Sequence, residues 1–286
     1  MNTTSVVRDS SPTKRMTPLL IFVLLSLLLF EPPFFAFNSS SKWFQVATFV
    51  GLPLFFTALA IFARRSRRFV EYWPAFSSFV IASTALLPMW LLDEFPVRWL
   101  GLDLKSPAGR AVIKATDTII LLVTVLVLAK LFQIDFDSIY LRKGKLRLGL
   151  IIGLAGFAAM SLFAFFEAHD MGISNRRLLS LAPWILTFVF ANGFFEELMS
   201  RALFLKKFEP FLGAFLSNLL TAFVFGIGHA GVTYTTNVLE FAAITFIFGL
   251  IWGYLMQKTG ALWASALFHA GADTLIIIGI FSGIKT

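Results

Sequence analysis

The stretch Asn192-Gly193-Phe194-Phe195-Glu196-Glu197-Leu198-Met199-Ser200-Arg201 lies inside an apolar run from about residue 179 to 204. A run of that length crosses the roughly 30 Å hydrocarbon core of a bilayer as a helix. A charge near the bilayer centre costs from a few to more than ten kcal/mol by different measures, so ionisable groups there are functional candidates by default. Glu197 and Arg201 are four residues apart, share a helix face and neutralise each other. Glu196 points elsewhere and lacks that partner. One compensated and one uncompensated carboxylate on the same helix read as a site, with Glu197 and Arg201 as scaffold and Glu196 as reagent. The competing reading is a buried ion pair that only fixes helix packing.

The composition extends this reading to the whole chain. Of 286 residues, 58% are hydrophobic and 14% charged, with a mean hydropathy of +0.82, which places the protein outside soluble globular usage. The formal charge of +8 would suggest nucleic acid in a soluble protein. Here Lys and Arg fall in short clusters between apolar runs, as the positive-inside rule expects, and no nucleic-acid partner is read from them. The absence of Cys excludes disulfides, thiolate nucleophiles and cysteine metal sites.

Further apolar runs at about 17 to 37, 43 to 63, 72 to 92, 115 to 133, 148 to 168, 211 to 230, 237 to 257 and 261 to 283 bring the total to about nine spans. They lack the alternation of barrel strands, so the expected fold is an all-α polytopic membrane bundle. The first run is taken as a retained span, because it has no clear small-residue cleavage site. Glu31-Pro32-Pro33 is expected to kink or end its helix.

With nine spans, the clusters Arg64 to Arg68, Arg142 to Arg147, Lys206-Lys207 and Lys258 fall on one side. The N-terminus is placed with them in the cytoplasm, in a multi-pass protein of a prokaryotic cell membrane. The other side carries Lys42, Arg98, Lys105, Arg110, Arg176, Arg177 and Lys285, diluted by acidic residues.

Polarity within the spans is lopsided. Residues 1–177 offer little beyond Glu31, Lys114 and Asp117, and are read as about five spans of enclosure. Asp117 is expected to pair with Lys114 near a helix end. Residues 178–283 hold Asn192, Glu196, Glu197, Arg201, Asn218, His229, Glu240, His269 and Asp273, and are read as the catalytic core. Asn218, Ala222, Phe225 and His229 form one stripe, and His269 and Asp273 share a face at the same four-residue spacing. His169, in a polar segment at a span end, is left out of the site.

The chain has no His-Glu-x-x-His, no Gly-x-Ser-x-Gly and no glutamate three residues before a histidine. What remains is a glutamate able to act as general base on water with help from an imidazole, and a second imidazole with its i+4 partner to stabilise an oxyanion. That is the inventory of an amide hydrolase, with no cofactor or metal required.

Glu-Glu-x-x-x-Arg at Glu196, Glu197 and Arg201, Phe-x-x-x-His at Phe225 and His229, and His-x-x-x-Asp at His269 and Asp273 occur in order on separate spans. The set resembles the CPBP family, the CAAX proteases and bacteriocin-processing enzymes also called Abi. The resemblance implies a glutamic-type intramembrane endopeptidase that cleaves a membrane-associated protein or peptide near a bilayer-bound or lipid-modified segment. Glu196 and His229 would activate water, His269 and Asp273 would serve the oxyanion, Glu197 and Arg201 would form the supporting pair, and Phe225 and Asn192 would line the site. The prenyl-protein endopeptidases have asparagine where this chain has Asp273. An ionised aspartate only accepts hydrogen bonds and would orient His269, whereas a protonated Asp273 would donate to the oxyanion itself, and the sequence leaves both open. Three other readings stay open: a non-catalytic interaction or bacteriocin-immunity protein, a metal-dependent hydrolase using His229, His269 and the glutamates, and a proton-coupled transporter.

Overall fold

The computed structural model describes residues 12–37, 39–233 and 235–283, with backbone alone for residues 12–14. The structure is 84% helical, with no strand among the described residues. In chain order the helices are α1 (Pro12–Phe37), α2 (Lys42–Phe49), α3 (Gly51–Arg65), α4 (Trp73–Leu92), α5 (Phe95–Trp99) and α6 (Pro107–Leu131). They are followed by α7 (Leu146–Asp170), α8 (Asn175–Glu197), α9 (Leu205–Leu212), α10 (Ala214–Gly228), α11 (Val238–Thr259) and α12 (Trp263–Ser282). Among the described residues, nine helical segments are long and apolar enough to cross a membrane. The protein is a multi-pass helical membrane protein. Of the charges used above for orientation, Lys285 lies outside the described residues.

Local chemistry sets several of the helix starts. Ser41, Ser106 and Ser174 each accept a backbone N–H of the first turn, from Phe44, Gly109 and Arg177, so α2, α6 and α8 begin with one free donor satisfied. Pro107 follows Ser106 at the first position of α6, where its missing N–H costs nothing. Leu20, Leu24 and Leu28 recur every fourth residue along α1 and are exposed. In a membrane protein such a stripe faces lipid, and the opposite side of α1, with Phe22 and Leu29 fully buried, faces protein.

The expected end at Glu31-Pro32-Pro33 is corrected, because α1 continues to Phe37. Each proline removes one bond to the carbonyl four residues back, and the packing of the fully buried Leu29 and Ala36 on either side supports the helix across them. Helix α4 is a central element, with Ala75 to Ala82 continuously buried, and α6 reaches the polar cavity described below.

Two close approaches position the site. Gly193 on α8 faces the α12 backbone, where an added Cβ would lie 2.7 Å from the Ala266 carbonyl oxygen and 2.8 Å from Ala270 N. Only glycine lets these helices touch there. Gly249 on α11 plays the same part towards Arg201, whose Nη2 would be 2.8 Å from a Cβ. Asn218 Nδ2 fastens α10 to α11 by donating to the Leu250 carbonyl at 2.9 Å.

Candidate active site

Helix α8 does not stop at Glu197. It passes into a π turn over Leu198–Ala202, closed by Leu203 N–H to the Leu198 carbonyl at 3.3 Å, and then into α9. Such wide turns cluster at functional sites. This one follows directly on the glutamate pair and contains Arg201.

Glu197 and Arg201 are both fully buried and joined through Oε1 and Nη1 at 2.6 Å. The same Oε1 accepts from His269 Nδ1 at 2.9 Å, tying α8 to α12. Arg201 Nε donates to the Gly249 carbonyl at 3.3 Å, and its guanidinium lies 4.3 Å over the Phe225 ring. Four helical segments therefore meet through one buried charge network.

His269 meets its i+4 neighbour Asp273 on one side of the ring and, more closely, Glu197 on the other. Nδ1 is held by Glu197, and Nε2 lies 3.5 Å from Asp273 Oδ1, a contact beyond a normal hydrogen bond. Asp273 Oδ2 instead accepts from Asn192 Nδ2 at 2.9 Å. Sequence spacing finds i,i+4 neighbours but is blind to a partner 72 residues away in the chain.

Glu196 Oε2 sits 3.3 Å from His269 Nε2, out of line for a hydrogen bond. It is a buried oxygen with no hydrogen-bond partner among the described residues. His229 closes α10, with Nδ1 2.8 Å from the Phe225 carbonyl oxygen. A carbonyl only accepts, so Nδ1 carries a proton, and in the neutral ring Nε2 is the acceptor. Helix α10 starts at Ala214, after the short helix α9, and His229 at its end lines the same cavities as Glu196.

There are two such cavities. The larger, of about 910 Å³, contains Glu196, His229, His269 and Asp273 in its wall. From the site it runs along the C-terminal halves of α7, α8 and α12 and the N-terminal half of α11. Its far end lies at the face opposite the Arg64 to Arg68 and Arg142 to Arg147 clusters. The smaller, of about 240 Å³, runs the other way between α1, the π turn and α10, and is walled mainly by Phe, Leu and Met side chains. Glu196, Phe225, Gly228 and His229 stand where the two meet.

Two wall residues escaped the sequence reading. Trp252 lies flat on His269, with ring centroids 3.8 Å apart and planes 9° from parallel, and its Nε1 is buried without a partner. Its signal in the sequence is faint: a tryptophan in mid-span, away from the interfacial belts where that residue concentrates. Lys114 does not form the expected ion pair with Asp117. It reaches the larger cavity with Nζ 4.6 Å over the Phe195 ring, while Asp117 Oδ1 is buried without a hydrogen bond. His169 is exposed and caps the Phe165 carbonyl. Glu240 is exposed in the first turn of α11 and takes no part.

With this geometry in place, comparison with known proteins becomes informative. Residues 178–275 match the family model of the type II CAAX prenyl endopeptidase Rce1-like domain. The match spans all three motifs, from before Glu196 to beyond Asp273, and agrees with the CPBP resemblance. It points to a protease embedded in the membrane. No curated protein and no solved structure matches the chain. Among the described residues, no three His, Asp or Glu side chains are arranged to hold a metal ion. Each nitrogen of His269 already faces a carboxylate.

Proposed function

We propose that the protein is a glutamic-type intramembrane endopeptidase that hydrolyses a peptide bond close to a membrane-bound or lipid-modified segment of its substrate. The observation that carries this reading is Glu196 Oε2: a buried carboxylate oxygen without a hydrogen bond, at the junction of two cavities, beside His229. A water molecule there would give one proton to Glu196, with His229 Nε2 as second acceptor, and its oxygen would add to the substrate carbonyl. The proton then passes to the leaving amine, and the C–N bond breaks.

The oxyanion needs donors. His269, with Nδ1 held by Glu197 and its ring laid on Trp252, presents Nε2 towards Glu196 and Asp273. Ionised carboxylates accept only, which suits a ring with a proton on each nitrogen. Asn192 Nδ2 keeps a second hydrogen beyond the one given to Asp273. In this scheme His269 and Asn192 are the donors and Asp273 orients them, which answers how an aspartate serves where relatives have asparagine. Residues 178–283 form the catalytic core, and the preceding helices wall it. The basic clusters support an N-terminus in the cytoplasm, and the proposed setting is the cell membrane of a prokaryote.

The test is direct. Purified full-length protein in vesicles is given a prenylated peptide and the products are identified by mass spectrometry, before and after exhaustive chelation. Cleavage at one bond, unchanged by chelation, is expected. Activity lost to the chelator and restored by added metal would reassign His229 and His269 as ligands.

A further inference from the structure

Arg110 and Lys114 are four residues apart on α6 and both line the larger cavity. The arrangement is costly in three ways. Like charges at this spacing repel. Arg110 lies in the first turn of α6, where the helix dipole favours anions. The cavity wall around them is largely aromatic and aliphatic. Nevertheless no carboxylate lies within ion-pairing distance of either one among the described residues. Arg110 Nε donates to the Lys105 carbonyl at 3.2 Å, and Lys114 touches only the rings of Phe195 and Phe188. Asp93, Asp117 and Glu196 are near enough to feel the charge of Lys114, and Glu167 faces the same cavity from α7.

We propose that Lys114, with Arg110 nearer the mouth, forms an anion subsite that takes the free C-terminal carboxylate of the peptide being cleaved. The proposal rests on the endopeptidase reading and adds a determinant of specificity to it. Both cations share one cavity with Glu196, His229, His269 and Asp273, so an anion held by them is covalently within reach of the scissile bond. A volume of about 910 Å³ accommodates a short peptide. The apolar wall suits apolar side chains between the cut and the terminus. Lys114 lies outside the matched segment, which makes this a feature of the chain's own N-terminal helices.

The probe is a dansylated peptide with an S-farnesyl cysteine followed by three apolar residues, made as the free acid and as the C-terminal amide. Cleavage is measured with the full chain in phosphatidylcholine vesicles, and binding is measured separately on Glu196→Gln. The acid is expected to be preferred by about tenfold or more, chiefly in KM. Lys114→Met should remove the preference and Lys114→Arg should keep it, with unchanged melting temperature in both. Arg110→Gln should reduce it less. Equal handling of acid and amide by the wild type, or a preference that survives Lys114→Met, overturns the subsite. So does a requirement for phosphatidylglycerol that Lys114→Met abolishes while the acid preference stays, since the anion would then be a lipid phosphate. If neither peptide is cut but Glu196→Gln binds the acid better through Lys114, the subsite stands and the protease reading fails.

Discussion

Two helices of this protein bury polar side chains and satisfy them in opposite ways. In α4, Ser77 Oγ donates to the Pro74 carbonyl and Ser83 Oγ to the Val80 carbonyl, each three residues back on its own helix. In α8, Glu197 Oε1 is bonded to His269 on α12 as well as to Arg201 beyond the helix end, and Asn192 to Asp273, 81 residues away. A serine bonded to its own helix can be buried anywhere and fixes nothing outside that helix. A carboxylate bonded across helices fixes their register, and is left stranded if the register changes. Between these two helices, polarity bonded at long range lies in the working part of the molecule and locally bonded polarity in its support.

The largest effect that distinguishes the two regions is on stability. Glu197→Gln leaves Arg201 buried without its counter-charge and weakens the anchor of His269. A loss of roughly 3–5 kcal/mol is expected, seen as a lowered thermal midpoint in detergent, together with loss of turnover. Next comes Asp273→Asn. An amide in this place can still accept from Asn192 but no longer presents a carboxylate to His269. Turnover should fall by roughly 10- to 100-fold with little change in KM, towards the loss of Asp273→Ala, and the fold should hold. Wild-type activity in Asp273→Asn would mean that this position donates to the oxyanion directly. The smallest effect belongs to α4: Ser83→Ala should change stability by about 1 kcal/mol or less and leave turnover untouched. A large loss there would erase the distinction between the regions.

Much of this was legible in the sequence, for identifiable reasons. Apolar length declares a span regardless of what packs on it, so the nine spans follow from hydropathy. The charges of Glu196, Glu197 and Arg201 stand out because lipid makes them expensive. Spacing of four residues correctly joins Glu197 to Arg201, because both lie on one continuous helical path. Spacing misses Glu197 as the second partner of His269 and wrongly joins Lys114 to Asp117, three residues apart, since what a side chain meets across helices depends on helix register. The persistence of α1 through Pro32 and Pro33 was hidden for the same reason: flanking tertiary packing overrides a local preference. Trp252 carries no charge and no motif, so only the stack on His269 reveals it.

The division of labour between the adjacent glutamates is the centre of this account, and one variant tests it most directly. Glu196→Gln keeps the size and polarity of the side chain but removes the base, while Glu197, Arg201 and His269 keep their contacts. Single-turnover cleavage of the prenylated peptide in vesicles should fall by at least about 10²- to 10⁴-fold, with a melting temperature equal to that of the wild type. Cleavage by Glu196→Gln at the wild-type rate would contradict the assignment of Glu196 as the base and the mechanism built on it.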